Sequence, residues 1–173
     1  MKTMNYLNKT KIFFLAIAAV TITSCNNDDD PVNEEEVITT VTTTLTNGTT
    51  TITLTSRDLD GDGPNAPVVT VSGNLTANTV YNGETIFLNE LETPAEDLTT
   101  EIEEEGEEHQ IFYQIPASLG IFGYTDFDTN AKPVGLMFTY TTGNAGTGNL
   151  TVTLRHLPNK SAAGVAAGDI TNA

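Results

Sequence analysis

The chain has 173 residues and carries 23 Asp and Glu against seven Lys and Arg, a formal charge of −16. A surface of that sign repels phosphate backbones and anionic headgroups, which excludes nucleic acid as a partner. One cysteine excludes an internal disulfide, and the length fits one domain with a short appendage.

The first element in chain order is a leader. Lys2, Lys9 and Lys11 precede an apolar run of 11 residues, IFFLAIAAVTI over 12–22. That is the length of a signal-peptide core and well short of the ~20 residues a membrane span needs. Ile22-Thr23-Ser24-Cys25 then reads as an aliphatic residue, two small ones and a cysteine. This resembles the lipobox of bacterial lipoproteins, in which the cysteine thiol takes diacylglycerol and the freed amine is acylated. The resemblance implies lipidation at Cys25 and anchoring worth about 0.8 kcal/mol per buried methylene.

Cleavage before Cys25 leaves four Lys or Arg against the same 23 acids, a formal charge of −19. The following NNDDDPVNEEE self-repels and reads as an extended tether over 25–36. Its acidic cluster also resembles the signal that directs lipoproteins of Bacteroidota to the outer face of the outer membrane. The expected location is therefore the cell envelope, as a periplasmic or surface-exposed outer-membrane lipoprotein.

From Val37 onward the period is two, and 27 of the chain's 31 threonines lie there, many beside Val, Ile or Leu, which favours strands. Segment 37–46 places Val37, Val41 and Leu45 on one face. Asn47-Gly48 predicts a type I′ hairpin, returning through 49–56 with Ile52 and Leu54 inward. Further alternating segments are 67–72 with three valines, 84–91 with Ile86 and Leu88, and 110–115 with Ile111, Tyr113 and Ile115. Then come 120–125 with Phe122 and Tyr124, 134–142 with Val134, Leu136, Phe138 and Tyr140, and 149–157 with Leu150, Val152 and Leu154. About eight short strands between turn signals predict an all-β fold, an immunoglobulin-like antiparallel β-sandwich over 37–173.

One short acidic helix interrupts this pattern. Thr93-Pro94-Ala95-Glu96 fits a capping box and predicts a helix over 94–105, stopped by Gly106. Six glutamates between Glu101 and Glu108 load its C-terminal end with the charge the macrodipole disfavours.

Two aspartate loops are candidate calcium sites. Asp58, Asp60 and Asp62 stand at positions 1, 3 and 5 of a calcium-loop pattern with Gly63 at 6, but the twelfth position is Val69 in place of glutamate. Asp126, Asp128 and Asn130 repeat the spacing with Ala131 in place of glycine. Asp, Asn and Gly are also the commonest residues of hairpin loops, and turn formation by Asp side chains accounts for both loops without an ion, the second more readily than the first. Of the two histidines, His156 continues an apolar strand face and reads as packed, while His109 follows the glutamate run without a second histidine at zinc-ligand spacing.

The chain contains no G-x-S-x-G elbow, Walker loop or G-x-G-x-x-G, and no tryptophan to build a sugar cleft. The expectation is a protein that is not an enzyme and has no obligatory cofactor beyond the calcium its loops suggest. Its expected role is binding or envelope structure, anchored to the membrane by lipid, with an unidentified protein or glycan ligand. The rival roles are a calcium-stabilised adhesion module and a glycan-binding accessory of an outer-membrane uptake system.

The stretches RDLDGDGPNAPVVTV, TPAEDLTTEIEEEGEEHQIFYQ and TVTLRHLPNKSAAG resemble a family of small flavobacterial lipoproteins, with the likeness running from the lipobox to the end of the chain. Members are often labelled "type 1 periplasmic binding fold superfamily". The fold so named has two α/β lobes and needs roughly twice this length, whereas the alternation here predicts antiparallel strands. The resemblance supplies no catalytic motif, and it implies one more strand beyond the segment GDITNA.

Overall fold

The computed structural model describes residues 37–61 and 63–173; the leader, Cys25, the tether and Asp62 lie outside the described residues. The strands are β1 (Thr40–Asn47), β2 (Thr50–Arg57), β3 (Val68–Val71), β4 (Val80–Asn89), β5 (Glu96–Asp97), β6 (His109–Gln114), β7 (Gly120–Tyr124), β8 (Met137–Thr142) and β9 (Thr151–His156). The helix α1 (Thr99–Glu104) lies between β5 and β6. A seven-stranded sheet runs β3-β2-β1-β4-β8-β7 with β5 added beside β4, and β6 and β9 form a second sheet. Every pairing is antiparallel. The all-β sandwich expected from the alternation is what folds, with its strands divided seven to two.

The core lies where the second sheet covers the first. Ile111 and Tyr113 of β6 pack among Leu45, Tyr81, Phe87, Leu136, Phe138 and Tyr140. Burying one such side chain contributes about 1.5–3 kcal/mol. Leu150, Val152 and Leu154 of the β9 segment close the same cluster from the second sheet. Val134, Leu136, Phe138 and Tyr140 are all buried, as their spacing predicts.

A line of hydroxyls crosses this core. Thr43 and Thr85 stand 2.9 Å apart, Tyr113 Oη lies 2.8 Å from Thr85 Oγ1, and Tyr113 donates to the Gly135 carbonyl at 2.7 Å. A carbonyl only accepts, so the single phenolic proton belongs to Gly135. Thr85 therefore donates to Tyr113, and Thr43 donates to Thr85. All three side chains are buried, and the chain of donors leaves none of these hydroxyl oxygens unpaired.

The remaining threonines explain the composition. Thr42, Thr44 and Thr46 of β1 stand opposite Thr55, Thr53 and Thr51 of β2 on the outer face of the large sheet. There the branched methyl suits the pleat while the hydroxyl stays accessible to water.

Several expectations are corrected. The hairpin loop is Gly48-Thr49, one residue beyond the expected Asn47-Gly48, because Asn47 pairs with Thr50. Positive φ is confined to Gly48 (+57°), as in a type II′ turn, whereas type I′ needs it at both positions. Strand β4 buries Tyr81, Thr85 and Phe87, so Ile86 and Leu88 share the outer face; Ile86 is exposed. The helix is shorter than 94–105. Glu96 and Asp97 pair with Asn89 and Leu88 of β4, and α1 starts after Leu98 without a side-chain cap. Burial of Leu98 and Ile102 fixes this placement, and the capping box at Thr93 goes unused.

The small-residue C-terminal segment is docked. Gln110 and Phe112, on the face of β6 away from the main core, are fully buried, and Gln110 Nε2 donates to the Val165 carbonyl at 2.8 Å. Val165, itself fully buried, opens the first of two short 3-10 turns, Val165–Ala167 and Ile170–Asn172.

Candidate functional site

Strand β7 ends the large sheet and β6 borders the small one, so no hydrogen-bonded ladder joins them. Between them opens a cleft of about 400 Å3, floored by Tyr113, Phe122 and Tyr124 and flanked by Ile115, Gly120 and Gly168. Its lining carries no charged residue, although the chain as a whole is strongly acidic.

The floor is held rigidly. Phe122 stacks on Tyr113 with ring centroids 4.8 Å apart and on Tyr140 at 4.4 Å. Tyr124 donates to the Ile111 carbonyl at 2.7 Å, and Tyr140 donates to the Leu119 carbonyl at 2.7 Å. Burial pushes the phenols of Tyr113 and Tyr124 above the ordinary tyrosine range. Both remain neutral donors committed to the backbone, not acids or bases poised for proton transfer.

The backbone of β7 adds polar groups to this uncharged cleft. Gly143 N donates to Leu119 O, and Thr125 N donates to Met137 O. In the β7–β8 register these bonds assign Ile121 and Gly123 to the ladder with β8. The N–H and C=O groups of Phe122 and Tyr124 consequently face the open side of the strand.

A second hollow, about 420 Å3, is lined by Glu103, Glu104, Glu105, Glu107, Glu108 and Asp128, with Phe127 at its rim. Beneath it Lys160 is buried, and its ammonium donates to Asp128 Oδ2 at 3.0 Å, to the Pro133 carbonyl at 2.8 Å and to the Gly106 carbonyl. This lysine supplies, from far along the chain, the positive charge that the end of α1 lacks in its own last turn.

His156 is not the packed histidine that its strand position predicts. His109 is the buried one, against the Glu105 carbonyl at 3.2 Å, while His156 is partly exposed with Nε2 3.5 Å from Glu108. Their rings stack across the β6–β9 pair at 5.0 Å.

The aspartate loops use their carboxylates internally. Asp58 Oδ1 accepts from the Asp60 amide, and Asp60 Oδ2 accepts from Asn65 Nδ2 at 2.7 Å; Asp62 lies outside the described residues. The Asn65 side chain also holds the Asp60 carboxyl below its ordinary pKa. Asp126 accepts from the amides of Gly135 and Leu136, and Asp128 accepts from those of Asn130 and Lys132 besides Lys160. Asn130 contributes its main-chain N–H to that turn. Among the described residues no group of three or more His, Cys, Asp or Glu is arranged to hold a metal ion.

Sequence reasoning singled out Tyr113, Phe122 and Tyr124 only as inward positions of separate strands. Their meeting in one cleft depends on which strands pair, and local periodicity does not encode that. No protein-family model matches the chain, and no curated protein or solved structure matches it significantly.

Proposed function

We propose that the chain is a membrane-anchored envelope lipoprotein whose sandwich is a non-catalytic binding module for an extended, uncharged peptide segment. The observation that carries this reading is the cleft beside β7, which combines an apolar floor with outward backbone groups at Phe122 and Tyr124. An added strand satisfies those groups and lays alternate side chains onto the floor. The lack of charge in the lining favours a ligand without charge. Stacking already occupies the faces of Phe122, which favours a peptide over a sugar platform. The anchor rests on the lipobox ending at Cys25.

Titrating a panel of uncharged extended peptides into 15N-labelled protein tests the binding role. The expected result is shifted and exchange-protected amides at Phe122 and Tyr124 for at least one peptide. Shifts confined to other strands, or none across the panel, overturn it. For the anchor, the chain is expected in the detergent-rich phase on partitioning and Cys25→Ser in the aqueous phase. A variant that stays in detergent refutes lipidation.

A further inference from the structure

The other edge of the large sheet has a different chemistry. Among the described residues strand β3 pairs with β2 alone, and its valines are unusually bare: Val68, Val69 and Val71 are 64%, 67% and 56% exposed. Edge strands are ordinarily defended by charged side chains, bulges or proline. Within β3 there is none of these, although 23 acids are spread along the chain.

The register assigns every backbone group of this strand. Ser72 N donates to Thr53 O at 2.9 Å, so the residues of β3 that bond to β2 are Val68 and Thr70, opposite Arg57 and Thr55. Val69 and Val71 turn their N–H and C=O groups away from the sheet. They are two residues apart, with Thr70 between them.

We propose that β3 pairs antiparallel with β3 of a second copy of this chain, about a two-fold axis through Thr70. Val69 of one copy then faces Val71 of the other. Each residue exchanges both its bonds, so four hydrogen bonds consume every outward group of the two strands. Val69 and Val71 project to the inner side of the sheet, where they meet as cross-strand valine pairs. Pro67, which has no N–H, ends the ladder just before β3 and confines the pairing to this strand. The two-fold axis closes the assembly as a dimer, where head-to-tail pairing of unlike edges gives filaments.

A second copy fits this edge because the outward groups are self-complementary and the seam brings no carboxylates together. The strand is short, so the association is weak and reversible. Net negative charge on both partners opposes approach, and added salt strengthens the dimer by screening it.

The axis also defines the test. It makes Thr70 and its symmetry mate a directly opposed, non-hydrogen-bonded pair with Cα atoms about 4.5 Å apart, within disulfide reach. Thr70→Cys in the full chain is expected to give a disulfide-linked dimer on mild oxidation. The unaltered chain serves as a control for coupling through Cys25, and Thr141→Cys, exposed elsewhere on the outer face, controls for random collision. Adding Val69→Lys to Thr70→Cys is expected to abolish coupling, with circular dichroism showing that the variant still folds. Sedimentation of the unaltered chain is expected to show mass rising toward twice the monomer with concentration and with salt. Thr70→Cys that stays monomeric, couples no better than Thr141→Cys, ignores Val69→Lys or couples to a different protein overturns the proposal.

Discussion

Lys160 Nζ and Asp128 Oδ2 lie 3.0 Å apart, with their side chains only 6% and 2% exposed. The ion pair joins the C-terminal segment to the loop before β8, and the same ammonium reaches Gly106 behind α1 and Pro133. Three parts of the chain with little hydrophobic core of their own are thereby held at one point. Lys160→Met removes the cation while keeping most of the packing, and leaves a buried carboxylate and two carbonyls without their donor. The expected loss is about 3 kcal/mol, the range for breaking a buried pair from one side, read as a lower urea midpoint with an unchanged slope.

The same pair makes stability acid-sensitive. Burial by itself raises the Asp128 pKa, but hydrogen bonds from the Lys132 amide and from Lys160 outweigh it and hold the carboxyl below its ordinary range. The folded chain therefore binds this proton less readily than the unfolded chain. Its contribution is complete above the unfolded value of about 3.9 and disappears as pH falls through the lowered folded value. Glu90, held at about 2 by Arg57 and Thr40, acts in the same direction. Urea midpoints of the unaltered chain and Asp128→Asn are expected to converge as the pH drops below about 4; a constant gap contradicts the assignment.

The hydroxyl line through the core predicts non-additivity. Thr85→Val removes the donor to Tyr113 and the acceptor of Thr43, and Tyr113→Phe leaves the Gly135 carbonyl unpaired. Each change is expected to cost about 1–3 kcal/mol, the penalty for unsatisfied buried polar groups. The double variant is expected to cost less than the sum, because the two side chains share one interaction. Additive losses in a double-mutant cycle count against a hydrogen bond between Thr85 and Tyr113.

Calcium is expected to act on this protein as magnesium does. The carboxylate oxygens of Asp126 and Asp128 already accept from amides or from Lys160, and Asp60 is committed to Asn65. Recruiting them to an ion means breaking bonds that hold the loops. Melting curves in millimolar calcium and magnesium are expected to coincide, and a midpoint raised by calcium alone restores the aspartate loop at Asp58 as an ion site.

The alternating strands were legible because one face of each is buried and the other wet, as at Val134 to Tyr140 and at Leu150 to Leu154. Strand β6 hid half its burial: Gln110 and Phe112 are buried on its other face, where Gln110 bonds a C-terminal segment of small residues that shows no periodicity of its own. Thr93 to Glu96 misled because a local capping pattern lost to pairing between β5 and β4 and to burial of Leu98. The partners of Lys160 stand 27 to 54 residues away, beyond any local signal. Of the cleft, each wall was visible singly. The space between β6 and β7 follows from topology, because both strands spend their ladders on other partners.

Gly48 isolates one backbone effect from everything else. It opens the β1–β2 loop at φ +57°, and a Cβ placed there meets nothing within 4 Å. Gly48→Ala therefore costs only the left-handed strain of an L residue, about 1 kcal/mol, with no steric addition. Gly48→Asn is expected to cost less, because asparagine tolerates this region better. The comparison is read from thermal unfolding of the three chains, with amide exchange at Leu45 and Ile52, which bond across the hairpin, reporting whether it frays. An alanine variant as stable as the glycine chain contradicts the positive φ at this position. A loss several times larger means that the loop makes contacts which the space around Gly48 does not allow.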